Sequence, residues 1–292
     1  MIHQIYTSDK KAIDYLKTKC DFDYRLEENF CTEISFHKEE AVFGSTIRKN
    51  ESKDDIIKIV SKFPKLKFLN LRKCRANELP EFVSKDLKHI DISCNNVDEF
   101  PPWILKQLSL NFLNIGANNI KDIPDLSHLK IETLKLHKNK IKHIPSINNT
   151  IKSLNLYLNQ EIYDLPKNIE KLNNIEIFSF GVSKIKELPS LSCWPKLRWL
   201  TLTVNNIERI NDDICELKKL EGLQLAKNNI KNLPQKIGEM NLKCISLYSN
   251  EISYLPTSFY DLKLTKLNLS KNPLMCKESI LQKFENIDFL RI

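Results

Sequence analysis

The chain has 292 residues, 41% of them hydrophobic and 28% charged, with a net charge of +8. No apolar run reaches the ~18 residues that a bilayer-spanning helix requires, so no transmembrane helix is expected. A basic balance of this size favours solubility and acidic partners over any particular fold.

From the amino end, Met1 to Lys11 is mostly polar and carries Lys10 and Lys11 with no apolar stretch behind them. An ordinary secretory signal is therefore not expected, and the cytoplasm is the expected compartment. The cysteines agree with this. Cys20, Cys31, Cys74, Cys94, Cys193, Cys215, Cys244 and Cys276 are dispersed, without a CxxC pair, and read as reduced thiols rather than a disulfide framework. Neither they nor the six histidines show zinc-ligand spacing, so no metal is expected.

Residues 1–65 do not follow the pattern that fills the rest of the chain. Ala12 to Leu16 reads as helical, as does Asp54 to Phe63, where Ile56, Ile57, Val60 and Phe63 recur at helical spacing. Between them, Cys31, Ile34 and Phe36 resemble a degenerate first strand, and Lys38 to Ser52 reads as a loop. The stretch 1–65 is expected to form an N-terminal cap.

From Leu66 onward one unit repeats. Segments begin at Leu66, Leu87, Leu110, Ile131, Ile151, Ile175, Leu197, Leu220, Leu242 and Leu264, in steps of 20 to 24 residues. Each approximates L-x-x-L-x-L-x-x-N-x-I-x-x-L-P; Leu220, Leu223, Leu225, Asn228, Ile230, Leu233 and Pro234 form the cleanest copy. The L-x-L core alternates apolar and polar, which is the strand period. One such strand cannot bury its apolar side alone, but stacking ten in a parallel sheet makes a continuous core. Asparagine at the ninth place suits a tight turn in which its amide satisfies backbone groups buried between coils. Cys74 and Ser183 are the departures from it. Proline after the last Leu of the unit ends the strand half and starts an irregular or 3₁₀ return. The unit at Ile151 carries an extra residue after Asn159, and the unit at Ile131 is the shortest.

Over residues 66–274 this pattern resembles the leucine-rich-repeat family. Its Leu-Pro ending is similar to the intracellular type in Ras-pathway scaffolds and in many bacterial and protist proteins. The resemblance implies an α/β solenoid: a horseshoe with a concave parallel sheet and short 3₁₀ or irregular convex returns. Residues 275–292 are expected to close the last coil, with a helix over Lys277 to Phe284 and an apolar side from Phe284, Ile287, Phe289 and Leu290. Neither end carries the multi-cysteine pattern common in extracellular members.

No catalytic chemistry emerges from the residues. The five glycines cannot form a phosphate-cradling loop, no protease, esterase or kinase motif is present, and no cofactor is expected. His89 and His137 should point outward on different columns, too far apart to share a metal. Asp212 and Asp213 read as a solvated turn.

The register names the outward residues: the third, fifth, seventh, eighth and tenth places of each unit. Basic residues there are Arg72, Lys73, Arg75, Lys135, Lys138, Lys140, Lys184, Lys227, Lys266 and Lys271, against only Asp91 and Glu251. Phe68, Phe112, Tyr157, Ile177, Trp199 and Tyr248 add an apolar and aromatic set, with Val182 and Val204 nearby. Exposed aromatics on a binding surface are the usual energetic anchors of protein interfaces, although they also pack together and stiffen a sheet. The expected partner-binding set is therefore Phe68, Arg72, Arg75, Phe112, Lys135, His137, Tyr157, Ile177, Trp199 and Tyr248. The function this predicts is a protein-binding scaffold whose partner brings an apolar anchor and acidic groups. Regulation of an enzyme such as a phosphatase is the alternative. Binding of single-stranded nucleic acid is disfavoured because the basic stripe is gapped.

Overall fold

Wherever the repeat places its L-x-L core, the chain is a strand of three residues centred on the fourth place. The computed structural model describes residues 9–36, 53–162, 165, 167–183, 185–186, 190–275 and 277–292. Lys38 to Ser52, Lys184 and Cys276 therefore lie outside the described residues.

The described chain divides into two compact units: one up to Lys140 with Pro145–Asn148, the other Ile141–Ile144 with Asn149–Ile292. In the first unit, helix α1 (Asp9–Lys17) precedes strands β1 (Asp23–Glu27) and β2 (Phe30–Ser35), helix α2 (Lys53–Val60), and strands β3 (Phe68–Asn70), β4 (His89–Asp91), β5 (Phe112–Asn114) and β6 (Thr133–Lys135). From β2 to β6 the strands pair in parallel, with Glu33, Phe68, His89, Phe112 and Thr133 in register. The second unit holds β7 (Ser153–Asn155), β8 (Ile177–Ser179), β9 (Trp199–Thr201), β10 (Gly222–Gln224), β11 (Cys244–Ser246) and β12 (Lys266–Asn268). Helix α3 (Lys277–Phe284) and strand β13 (Phe289–Arg291) complete it.

The caps contain more strand than the periodicity predicts. Strand β1 lies antiparallel to β2, and the turn between them places Glu28 and Asn29 at φ 51° and 71°, the left-handed pair that suits a tight hairpin. Beside this hairpin, α1 buries Ala12, Ile13 and Leu16, and the Asp9 carboxylate accepts the Cys31 N–H at 2.8 Å. Helix α2 buries Ile56, Ile57, Ile59 and Val60, as its spacing requires. At the other end α3 buries Ile280 and Phe284. Phe289 does not join them. Strand β13 pairs with β12 so that Phe289 stands opposite Lys266 at the outward third place, leaving it 38% exposed.

Between coils, the apolar first, fourth and sixth places fill the core; Leu220, Leu223 and Leu225 are wholly buried. Asparagine at the ninth place joins each coil to the one before. Asn228 donates to the carbonyls of Leu202 (3.0 Å) in the preceding coil and Leu225 (2.9 Å) in its own, and accepts the Ile207 N–H at 3.1 Å. Asn95, Asn118 and Asn139 repeat all three bonds, for example 3.1, 3.0 and 3.1 Å at Asn118. Asn205 is the exception. It donates to Phe180 and Leu202, but its side-chain oxygen has no donor. The Ser183 hydroxyl bonds the Ile162 carbonyl.

The residue before this asparagine is left-handed in every unit. Lys73, Cys94, Ala117, Lys138, Leu158, Val182, Val204, Lys227, Ser249 and Lys271 all have φ between 54° and 60°. That turn lets the eighth-place N–H reach the seventh-place carbonyl of the next coil, as Val204 does to Ala226 at 2.9 Å. The ladder thus continues past the strand. No glycine occupies the position, and two of the residues are β-branched valines, for which this region is costly. Where the returns carry 3₁₀ turns they are short, as at Pro102–Lys106 and Thr257–Asp261.

Two outcomes are expected in denaturant unfolding. Asn228→Ala strands a buried backbone N–H and two carbonyls and should cost about 3 kcal/mol, whereas Asn205→Ala should cost roughly half that. Val204→Asn places a residue that tolerates the left-handed region where valine is strained, and should raise stability by up to about 1 kcal/mol.

Candidate functional site

The outward places form columns running across the strands, and each unit has its own. In the first unit the third-place column is a stack of rings. Phe68 and His89 lie 4.2 Å apart at 17°, and His89 and Phe112 lie 3.9 Å apart at 4°. The Lys135 ammonium sits 5.3 Å from the Phe112 ring centre. Burial between the rings holds the His89 imidazole below its ordinary pKa, with Asp91 opposing and Lys135 reinforcing the shift.

The fifth-place column of this unit corrects one expectation. Asp91 is not an outward acid but is buried, with 8% exposure. Its carboxylate accepts the Ser93 N–H (2.9 Å), the Ser93 hydroxyl (2.6 Å) and the Asn114 amide (2.9 Å). Ser93 and Asn114 engage this group with hydrogen bonds, which the alternation of the sequence alone did not reveal.

The seventh-place column reads Arg72, Ser93, Gly116, His137. Small residues stand in the middle and long polar ones at either end. The His137 ring lies over Gly116, where a Cβ would come within 2.2 Å of the imidazole. Burial lowers the His137 pKa; Lys135, Lys138 and Arg72 lower it further, and Asp91 opposes them. Two polar atoms here are shut off from solvent with no hydrogen-bond partner: Arg72 Nε and His137 Nδ1. His89 and His137 occupy different columns as expected, and no group of three metal-ligating side chains exists among the described residues.

In the second unit the structure brings Ile177 and Trp199 side by side at the third place, in register on β8 and β9. They are 44% and 37% exposed. The Trp199 ring extends over Gly222 on β10, where a Cβ would come within 2.2 Å of it. Tyr157 does not join them. It belongs to the seventh-place column, four residues further along the strand direction, about 13 Å away at ~3.3 Å per residue. There it lies over Gly181, whose added Cβ would meet the Tyr157 ring at 2.8 Å. Tyr248 lies beneath Lys271, 5.2 Å from ring centre to ammonium, and the hydrogen bond from Lys271 lowers its phenol pKa.

Three of the five glycines, Gly116, Gly181 and Gly222, therefore serve as floors for aromatic rings on adjacent strands. The register could have exposed this, since each stands at an outward place beside a ring on a neighbouring coil.

The basic residues are unevenly shared. Arg72, Lys73, Arg75, Lys135, Lys138 and Lys140 lie in the first unit; Lys227, Lys266 and Lys271 in the second. The one remaining outward acid named by the register, Glu251, is paired with Lys231 at 3.7 Å.

Residues 218–274 match the family described as Leucine rich repeat. Among curated proteins, the chain is 30% identical over 161 residues to leucine-rich repeat-containing G-protein coupled receptor 5 of Xenopus tropicalis, covering 54% of this chain and 16% of the receptor. It is 26% identical over 206 residues to the human volume-regulated anion channel subunit LRRC8A, covering 66% of this chain and 23% of the subunit. The chain thus spans less than a quarter of the length of these relatives. Among solved structures, a leucine-rich-repeat protein of Leptospira interrogans superposes with a TM-score of 0.70 at 24% identity, over 80% of this chain and 62% of that one. The Arabidopsis receptor kinase HAESA, solved with the peptide hormone IDA and the co-receptor SERK1, gives 0.67 at 21% identity, over 92% and 47%. At these identities the solved structures establish the fold. Residues 218–274 carry the family's repeat, and repeat, register and asparagine bridges agree with the leucine-rich-repeat fold that the solved structures share.

Proposed function

We propose that this chain is a protein-binding scaffold or adaptor that captures its partner on the outward strand face. The observation that carries the reading is the pair Ile177 and Trp199, large apolar side chains exposed side by side on neighbouring strands of the sheet. Fully burying such a side chain is worth about 1.5–3 kcal/mol, and a partner's apolar anchor would recover the share that these two, already more than half buried, still leave in water. The basic residues of the same face suit acidic groups on that partner. HAESA, which shares the fold, was solved holding a peptide hormone, a precedent for recognition by this architecture. Cytoplasmic placement belongs to the same proposal. It draws support from the described cysteines, all of which are free thiols.

Partners captured from the native cell and then purified give the test. Trp199→Ala with Ile177→Ala should weaken their binding about 30-fold or more, the mark of an interface anchor. Gly222→Ala should do nearly the same without removing either side chain, because the new methyl lifts the Trp199 ring. Its tryptophan fluorescence should change while the unfolding midpoint stays close to wild type. Undiminished binding by both variants would place the interface elsewhere, and steeply salt-dependent capture of single-stranded RNA would replace the reading altogether.

A further inference from the structure

We infer that the strand face of the first unit seats the carboxylate of an acidic, extended peptide segment between Arg72 and His137, with an apolar residue of that segment laid on the Phe68–His89–Phe112 stack. This rests on the protein-docking reading and names a second contact for it, on residues separate from Ile177 and Trp199.

Three observations converge. The first is unspent hydrogen-bonding capacity. Arg72 Nε and His137 Nδ1 are both buried without a hydrogen-bond partner, and both belong to the seventh-place column, with Ser93 and Gly116 between them in the register. Leaving a buried donor unsatisfied is unfavourable, and a small outward rotation of two long side chains over an incoming carboxylate would let both donate.

The second is uncompensated charge. Several cations outside this face are matched, such as Lys67 with Glu27 at 2.8 Å and Arg198 and Lys243 with Glu221 at 3.4 Å each. Arg72, Lys73, Lys135, Lys138 and Lys140 make no ion pair among the described residues, and the one acid between them, Asp91, is buried with its oxygens bonded.

The third is spacing. The ring stack occupies the third-place column and the Arg72–His137 pair the seventh. In an extended chain running along the strand direction, residues i and i+4 point to the same side about 13 Å apart, which matches the two columns. An apolar residue and an acid four positions apart would reach both.

The pair also makes the contact proton-linked. His137 is held towards its neutral form by burial and by Lys135, Lys138 and Arg72, with Asp91 alone opposing. A carboxylate against the ring favours the imidazolium, so its pKa is higher in the bound state than in the free state. Binding then takes up a proton: the added affinity is present at low pH and is lost as pH rises through the bound-state pKa. The peptide carboxylate titrates near pH ~4.3, below a comparison between about pH 6 and 8.

The test uses the full chain and an acetylated, amidated peptide with glutamate four residues to either side of a central phenylalanine, in a serine and glycine background. A second peptide carries glutamine for both glutamates. The glutamate peptide should bind about tenfold more tightly at pH ~6, as charge-assisted hydrogen bonds predict. Its advantage should shrink severalfold by pH ~8, the range in which histidine titrates, and Arg72→Gln should remove most of it. His137→Gln should flatten the pH dependence, while the Ile177 and Trp199 variants leave it unchanged. Equal affinity for the two peptides, an advantage that survives Arg72→Gln, or an undiminished pH slope in His137→Gln overturns the inference. If those results occur while Trp199 and Ile177 still govern partner capture, the docking reading stands and this site alone fails.

Discussion

The fold depends on the bridge that each buried asparagine makes between neighbouring coils. A strand of three residues forms too few ladder bonds to hold a coil, and the sharp turn after it buries backbone groups that no strand can reach. One amide at the ninth place supplies an acceptor to the coil behind and donors to both coils, so the core can be almost wholly apolar without stranding polar groups. The left-handed residue before it is the geometric condition for this, because it carries the chain from the ladder into the turn. Leucine supplies the driving force; asparagine decides that the coils stack in register.

Because the inward and turn places are committed to that task, individuality is left to the outward columns. The two units use them differently. The first gathers six cations, a ring stack and a column with two buried nitrogens that lack a hydrogen-bond partner; the second gathers exposed aliphatic and indole surface with fewer charges. A formal count of surface charge hides this division, since the one acid in the first column set is withdrawn into hydrogen bonds.

Most of the scaffold was readable in the sequence, and the parts that were not have physical reasons. The L-x-L cores, the asparagines and the helices around Ala12, Ile57 and Ile280 each announce themselves through periodicity. Strands β1 and β13 do not: one lies in a hairpin outside the repeat, and the other presents Phe289 to solvent, where a hydrophobic pattern suggests burial. Of the candidate binding residues, the register set Ile177 beside Trp199, but the expectation that Tyr157 joins them overlooked its place in another column. Asp91 misled because side-chain direction alone does not fix exposure when neighbouring polar side chains hydrogen-bond the group. A partner leaves no periodic trace at all.

The rings laid over Gly116, Gly181 and Gly222 have one more consequence. A tryptophan or tyrosine free to turn in solvent forfeits its rotamers when a partner captures it, at about 0.5–1.5 kcal/mol for each immobilised side chain. Here the glycine floors have already selected an orientation, so much of that entropy is surrendered during folding rather than at the encounter. Recognition then begins from a surface with little left to freeze, and a single methyl group added to a floor would change affinity without removing any contact atom.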